Sequence, residues 1–169
     1  MQGDKLPAPV LPAQGDVKGD LKRDLVQDTP PARLPAASRA QIAPFIAARP
    51  NWDGVVTVKD GGTHHWLHIS AGEVISMMGF LTPRLITDLG GGPQPDMSAL
   101  SDTMSRPERL AAHLSSAVLT HDTAGITGHL IGAELAATKP YWLGQEVVLM
   151  GQGPYLAALK AQGVSVIQL

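Results

Sequence analysis

The chain has 169 residues, of which 44% are hydrophobic, so it is long enough to form one packed domain with its own core. Its 13 basic and 15 acidic side chains leave a formal net charge of -2, which gives no electrostatic footprint for nucleic acid or an anionic membrane surface. Cysteine is absent, which excludes disulfides, and no apolar run approaches the roughly 20 residues that span a bilayer. We therefore expect a cytoplasmic protein that binds neither nucleic acid nor membrane.

The first 35 residues are predicted to form an extended, proline-rich arm. Prolines recur among glycines and charged residues in this segment, at Pro7, Pro9, Pro12, Pro30, Pro31 and Pro35. Because proline cannot donate to a β-ladder, we expect the arm to build no sheet and to lie over the folded part or over a neighbour. The folded lobe is predicted over residues 36–169, and "SRAQIAPFIAARP" predicts that it begins with a short helix limited by Pro44.

Three consecutive antiparallel strands are predicted next, over residues 55–58, 66–69 and 73–78. A helix should begin at Thr82, because threonine can cap a helix and Pro83 fits the first helical position. The "GGG" that follows at residues 90–92 should end this helix.

Two further helices and a β-α-β unit are predicted in the rest of the chain. Ser105 and Glu108 have the spacing of a capping box for the first helix, and the second should run over residues 123–138. Inside the second helix, Gly128 and Gly132 each cost about 1 kcal/mol relative to alanine, which indicates close approach by another backbone. The chain should close with a strand over 146–150, a turn, a helix and a strand over 164–169.

The turn "DGGT" at residues 60–63, which follows the predicted strand over residues 55–58, has the chemistry of a phosphate-binding loop. Gly61, Gly62 and Thr63 can offer backbone N–H groups to phosphate oxygens, because glycine has no Cβ in the way. Asp-Gly is also a common hairpin turn. Asp60 could accordingly hold magnesium or activate an acceptor hydroxyl, or it could simply be the first residue of a turn.

A second glycine-containing turn, Gly151-Gln152-Gly153, lies between a predicted strand and a predicted helix. Such a position favours an anion or a nucleotide, although a plain tight turn has the same composition. Histidines at 64, 65 and 68 could form a metal cluster, but exposed histidines near a turn are the commoner arrangement, and no carboxylate other than Asp60 falls in a ligand spacing nearby. We therefore predict that these histidines form no metal site.

The order of the elements is that of a mixed α/β fold, with a central sheet flanked by helices. Three antiparallel strands, helices, and a strand-helix-strand ending are typical of the ribonuclease-H-like fold, whose doubled form makes the actin-like ATPases. The chain is predicted to contain one such lobe.

Several motifs also resemble a known family. "GTHHW" with "GEVISMMGFLT", then "SRPERLAAHL", "TGHLIGAELAA" and "VVLMGQGPYLAALKAQGV", are similar to the C-terminal half of 2-dehydro-3-deoxygalactonokinase, a sugar-acid kinase of the actin-like superfamily. The resemblance covers about residues 28–164. It implies ATP-dependent phosphorylation of 2-dehydro-3-deoxy-D-galactonate at the 6-hydroxyl with Mg²⁺, in galactonate breakdown. In such a kinase we expect Gly61, Gly62, Thr63 and His64 to border the phosphates and Gly151 to Gly153 to border the adenosine, with Asp60 as the candidate catalytic residue.

Departures from the family pattern keep a second function class open. Nothing matches the family's Asp-Trp-Gly-Thr motif, and Ser38, Arg39 and Arg84 stand where the family has acidic blocks. The chain is therefore expected to be a truncated or degenerate kinase lobe with little turnover by itself. The alternative is a non-catalytic binding or structural relic. A homodimer, or association with a separate N-terminal lobe, is expected to cover its exposed apolar face.

Overall fold

The structure is a computed structural model that describes residues 2–11 and 22–169. Its strands are β1 (Asp4–Lys5), β2 (Ala8–Pro9), β3 (Leu25–Gln27), β4 (Ala32–Leu34), β5 (Gly54–Asp60), β6 (Thr63–Ser70), β7 (Glu73–Phe80), β8 (Glu146–Met150) and β9 (Ser165–Gln168). Its helices are α1 (Ala36–Ala47), α2 (Thr82–Asp88), α3 (Met97–Ser105), α4 (Leu110–Leu119), α5 (Thr123–Ala137), α6 (Lys139–Trp142) and α7 (Tyr155–Ala161), with a short 3-10 turn before α4.

A six-stranded mixed sheet forms the centre of the fold, in the order β2-β7-β6-β5-β8-β9. Strands β5, β6 and β7 pair antiparallel in sequence order, while β8 joins β5 in parallel and β9 joins β8 in parallel. The predicted mixed α/β architecture, with three antiparallel strands and a β-α-β ending, is therefore confirmed. No helix among the described residues combines the length and apolar character that crossing a membrane requires.

The two faces of the sheet carry different cores, because alternate residues of a strand point to opposite sides. On one face, Val56 and Leu67 pack against α1 and the strands of the arm. On the other face, Val55 and Trp66 pack against α5 and α7. The helical face is the one that carries the functional candidates described below.

Helices α3 and α5 approach closely at the two glycines of α5. A Cβ atom at Gly128 would overlap the backbone carbonyl oxygen of Asp96, and one at Gly132 would overlap that of Leu100. The predicted close approach by another backbone is confirmed, and the partner is α3. Through this contact, α5 lies flat between α3 and the sheet.

The start of the fourth helix differs from the sequence prediction. Ser105 ends α3 instead of capping α4, and its hydroxyl donates to the carbonyl oxygen of Ser101 within α3. Helix α4 begins at Leu110 without a side-chain cap. The predicted capping box is wrong, because the local pattern fits either helix end, and α3, whose cap is Asp96, was not predicted at all.

The expectation that the arm builds no sheet is also wrong. Strands β1, β3 and β4 form a separate three-stranded sheet, and β2 extends the central sheet by pairing with β7. The buried guanidinium of Arg39 binds this arm by donating to Asp4 Oδ2 at 2.8 Å and to the carbonyl oxygen of Pro9 at 2.6 Å. The prolines are compatible with these strands because the strands are short and several prolines lie between them. The predicted domain boundary at residue 35 stays a prediction. Pro12 lies outside the described residues.

We predict that Gly132→Ala destabilises the protein. Helix propensity alone would make this change favourable by about 1 kcal/mol, whereas overlap with Leu100 should cost about 1–3 kcal/mol net. Urea unfolding followed by circular dichroism measures the difference. Ala137→Gly, at the exposed last residue of the same helix, should cost less than about 1 kcal/mol, because propensity differences shrink at a helix end. A Gly132→Ala variant as stable as the wild type would contradict the packing.

Candidate functional site

The β5–β6 hairpin presents the predicted phosphate turn. Asp60 pairs with Thr63, and Gly61 and Gly62 form the tip between them. Gly61 has φ +54°, a left-handed conformation that favours glycine. The carbonyl oxygen of Gly62 accepts a hydrogen bond from the backbone N–H of Arg84 at 3.2 Å, so the tip is held against the start of α2.

A cavity of about 420 Å³ opens beside this hairpin, next to the carboxyl ends of β5 and β8. This is the edge of an open α/β sheet at which ligands usually bind. Its polar lining includes Lys59, His64 and Gln152. Apolar walls and glycines complete it, among them Ile86, Leu149, Met150, Pro154, Gly91 and Gly92. The volume lies within the range of about 300–1,000 Å³ typical of small-molecule sites.

The structure brings only some of the predicted site residues together. His64, Gln152 and Gly153 line the cavity. Asp60 and Thr63 instead line a second, more open hollow on the other side of the hairpin, next to the arm. Among the remaining predicted residues, Gly61, Gly62 and Gly151 lie outside the cavity lining, with Gly151 directly before Gln152. Their assignment to phosphate or adenosine stays a prediction.

Two residues that line the cavity, His64 and Tyr155, contact a fully buried carboxylate, Glu134 of α5. Its Oε1 contacts two ring nitrogens, Nδ1 of His64 at 2.6 Å and Nε1 of Trp66 at 2.7 Å. Its Oε2 accepts a hydrogen bond from the hydroxyl of Tyr155 at 2.9 Å. These three partners come from β6 and α7, so one side chain joins the sheet to two helices.

Glu134 determines how His64 is oriented. Oε1 of Glu134 accepts from the indole N–H of Trp66, which can only donate, so we assign Nδ1–H of His64 as a second donor to the same oxygen. The ring of Tyr155 stacks on the other side of His64, with centroids 3.9 Å apart and an interplanar angle of 33°. The His64 ring therefore has a fixed position and a fixed tautomer at the edge of the cavity.

Tyr155 is held in its neutral form. Burial raises the pKa of its hydroxyl well above the ordinary value of 10.0, and the nearby charge of Glu134 and the hydrogen bond to it act in the same direction. A hydrogen bond with Thr82 opposes these effects. The neutral hydroxyl of Tyr155 can therefore donate its hydrogen bond to Glu134.

Sequence reasoning missed Glu134 and Tyr155. The available signal was that Glu134 is the only acidic or basic side chain, histidine apart, within the fifteen residues of α5. An isolated acid in an apolar helix must find donors if it is buried, because an unpaired buried charge is costly. Tyr155 carried no comparable signal.

The expected exposure of the histidines is wrong for two of the three. His64 is 2% exposed and His65 is 4% exposed, because β6 is a central strand covered on both faces. Both ring nitrogens of His65 lack a hydrogen-bond partner among the described residues, and burial lowers the pKa of this side chain. In residues 2–11 and 22–169, no three His, Cys, Asp or Glu side chains are grouped so that they could hold a metal ion.

Comparison with solved structures identifies the fold. The chain superimposes with a TM-score of 0.80 on the crystal structure of "a putative 2-dehydro-3-deoxygalactonokinase protein" from Sinorhizobium meliloti. The match covers 99% of this chain and 68% of the other, at 20% sequence identity. The resemblance predicted from the sequence motifs is therefore confirmed at the level of the fold. No protein-family model matches the sequence, and no curated protein matches it.

We predict that stability falls at alkaline pH through Tyr155. Because the pKa of Tyr155 is higher in the folded than in the unfolded chain, its contribution is complete below pH 10.0 and is lost as the pH rises above that value. The phenolate absorbance of Tyr155 should therefore appear together with unfolding. Tyr155→Phe should remove this step and, by leaving Oε2 of Glu134 without its donor, cost about 1–3 kcal/mol at neutral pH.

The matched control is Tyr141→Phe, at the other tyrosine of the chain, whose hydroxyl donates to Ser76 away from the cluster. This variant should keep the phenolate step that coincides with unfolding. Ionisation of Tyr155 in the folded protein near pH 10 would contradict the burial and hydrogen bonding described above.

Proposed function

We propose that this chain is a nucleotide-binding lobe of a sugar-acid kinase that uses ATP to phosphorylate 2-dehydro-3-deoxy-D-galactonate at its 6-hydroxyl. The observation that carries the proposal is the fold match, which extends over 99% of the chain to a protein described as a putative kinase of this substrate. The motifs on which the sequence resemblance rests, "GTHHW" and "GHLIGAEL", contribute His64, Trp66 and Glu134, which contact one another beside the cavity.

The finer fold assignment is part of this proposal. We assign the central sheet to a ribonuclease-H-like lobe of the actin-like ATPase type. Support comes from three antiparallel strands in sequence order, β5, β6 and β7, followed by two strands added in parallel on the β5 side. Helices α5 and α7 cover the face on which the cavity lies.

The cavity has the chemistry that a nucleotide needs. Apolar side chains such as Ile86 and Met150 can cover a base, while Lys59 supplies a positive charge for phosphate oxygens. Gly153 leaves space for close approach, since a Cβ at that position would meet no atom within 4 Å. ATP thus fits the residues present, and it would supply the phosphoryl group.

Magnesium is a different case. None of the residues that line the cavity is a carboxylate, the ligand type that Mg²⁺ prefers. Asp60 is the nearest candidate in sequence, one residue beyond Lys59, but it faces the second hollow. We propose no magnesium ligand from the cavity lining, and any Mg²⁺ would depend on the phosphates themselves and on Asp60. For Asp60 to accept the proton of the acceptor hydroxyl, as the sequence suggests, that hydroxyl and the terminal phosphate would have to meet at the second hollow.

One observation favours the alternative, a non-catalytic relic of the kinase fold. Arg39 stands where the family has an acidic block, and its guanidinium is consumed by structural contacts to Asp4, Pro9 and Val10. A buried arginine with these partners stabilises the arm rather than a substrate. A kinase fold that has lost its catalytic residues would be expected to show such a replacement of an acidic block by a structural arginine.

Association and location also belong to the proposal. Several large apolar side chains are exposed on the described surface, including Leu81, Leu119 and Leu143. We propose that a second copy of the chain, or a separate N-terminal lobe, covers such surface in the cytoplasm. Light scattering at micromolar concentration should report a dimer, and a monomer would count against self-association.

We predict that Gly153→Leu weakens ATP binding by about tenfold or more, because the new side chain occupies the cavity while the backbone there needs no positive φ. Isothermal titration calorimetry with Mg-ATP measures the affinity. Ala157→Leu adds the same side chain to the exposed face of α7 and should bind ATP like the wild type. Equal affinity in all three proteins, or no binding to the wild type, would contradict the proposed site.

A coupled ADP-release assay with 2-dehydro-3-deoxygalactonate tests the relic alternative. We expect the chain alone to bind ATP but to show little or no turnover, because it lacks the acidic blocks of the kinase family. Ordinary kinase rates that Asp60→Asn abolishes would overturn the relic alternative and establish the chain as an enzyme.

A further inference from the structure

The feature that the proposed function leaves unexplained is the buried pair formed by Glu134 and His64. Nδ1 of His64 is engaged with Glu134, whereas Nε2 makes no hydrogen bond to any described residue. Nε2 is not among the fully enclosed nitrogens, and the ring lines the cavity. A polar side chain that is 98% buried therefore lines the cavity with one nitrogen unpartnered, while a carboxylate holds the other.

Glu134 would favour a charged His64. A carboxylate in direct contact with Nδ1 stabilises the imidazolium form, in the way that the carboxylate of a catalytic triad stabilises its histidine. The positions of the donors on Glu134 also leave little freedom for rearrangement, because Trp66 and Tyr155 each donate to the same carboxylate. Proton gain at Nε2 thus requires no movement of the cluster.

Lys59 lies directly across from His64 in the β5–β6 pair, and both side chains line the cavity. A protonated His64 and Lys59 together would present two donors, both positively charged, to one anionic group. Phosphoryl oxygens suit such donors well, since charge-assisted hydrogen bonds to phosphate are short and strong.

We propose that the Glu134–His64 pair forms a proton-coupled phosphoryl site, in which Nε2 of His64 gains a proton as a phosphate-bearing ligand binds and donates it in a hydrogen bond to a phosphate oxygen. The inference rests on the proposed function for the cavity it uses. It adds a specific role for Glu134, which positions His64, and it applies to a nucleotide, a sugar phosphate or inorganic phosphate alike.

The groups that face His64 determine the sign of the pH dependence. Glu134 from α5 favours the proton, whereas Lys59 from β5 and His65 on the same strand disfavour it when they are charged. Tyr155 from α7 stays neutral and contributes no charge. A bound phosphate adds negative charge at the unpartnered nitrogen, so binding should draw a proton from solvent and should weaken as the pH rises and the proton becomes harder to gain.

Calorimetric titration at pH 8 in two buffers of different ionisation enthalpy measures the protons taken up on binding. Inorganic phosphate and ADP should each bind with net proton uptake that the ligands themselves do not supply, because their own second ionisation is almost complete at this pH. Adenosine, which lacks a phosphoryl group, should bind without uptake or not at all. ADP and phosphate together distinguish a nucleotide site from a general phosphate site.

Two variants assign the proton to His64. His64→Gln keeps a polar side chain of similar reach and should abolish uptake while lowering the affinity for phosphate by about tenfold, the loss of one charge-assisted hydrogen bond. His68→Gln, on the same strand but outside the cavity, is the matched control and should leave uptake and affinity unchanged. Circular dichroism shows whether each variant is folded. If His64→Gln does not fold, the proton uptake of the wild type on binding phosphate or ADP remains the test, and its absence would overturn the inference.

The outcomes are distinct. Phosphate and ADP binding without proton uptake, or uptake that persists in folded His64→Gln, would overturn this inference while leaving nucleotide binding intact. Proton-coupled phosphate binding without ADP binding would support the inference and contradict the proposed function. Failure of both ligands to bind the wild type would contradict both.

Discussion

The helical face of this protein depends on the hydrogen bonds that the buried carboxylate of Glu134 accepts. Placing an ionised carboxylate in a core is favourable only if nearly all of its acceptor sites are satisfied. Here the donors are supplied by His64, Trp66 and Tyr155 at 2.6, 2.7 and 2.9 Å. Because those donors lie on different elements, the requirement to satisfy one buried charge sets the relative position of β6, α5 and α7.

The packing of α5 makes this arrangement possible. Gly128 and Gly132 let α3 approach α5 within backbone contact, which holds α5 against the sheet with Glu134 facing inward. The cavity then follows from the topology, since β5 and β8 are parallel and end at the same edge. One wall of that cavity is His64, so the element that stabilises the core also borders the space where a ligand would bind.

How much the sequence predicts depends on whether a feature is local. The hairpins of β5, β6 and β7 and the β-α-β ending follow from alternation and turn residues, and the structure has them. The arm's sheet was not predictable, because β1 pairs in parallel with β3 across some twenty residues that no local pattern connects. Glu134 was missed for the same reason: its partner His64 lies 70 positions away in the chain, and only the fold reveals why an acid stands in an apolar helix.

The central claim is that Nδ1 of His64 donates a hydrogen bond to Glu134, which leaves Nε2 as the unpartnered nitrogen of a ring that lines the cavity. The most direct measurement is long-range nitrogen–proton correlation NMR of the imidazole rings in the ligand-free protein at pH 8, with His64 assigned by its loss in His64→Gln. The account predicts a proton on Nδ1 of this residue, hydrogen-bonded to Glu134. A His64 ring protonated on Nε2 alone, or one that exchanges between tautomers as a free imidazole does, would contradict it.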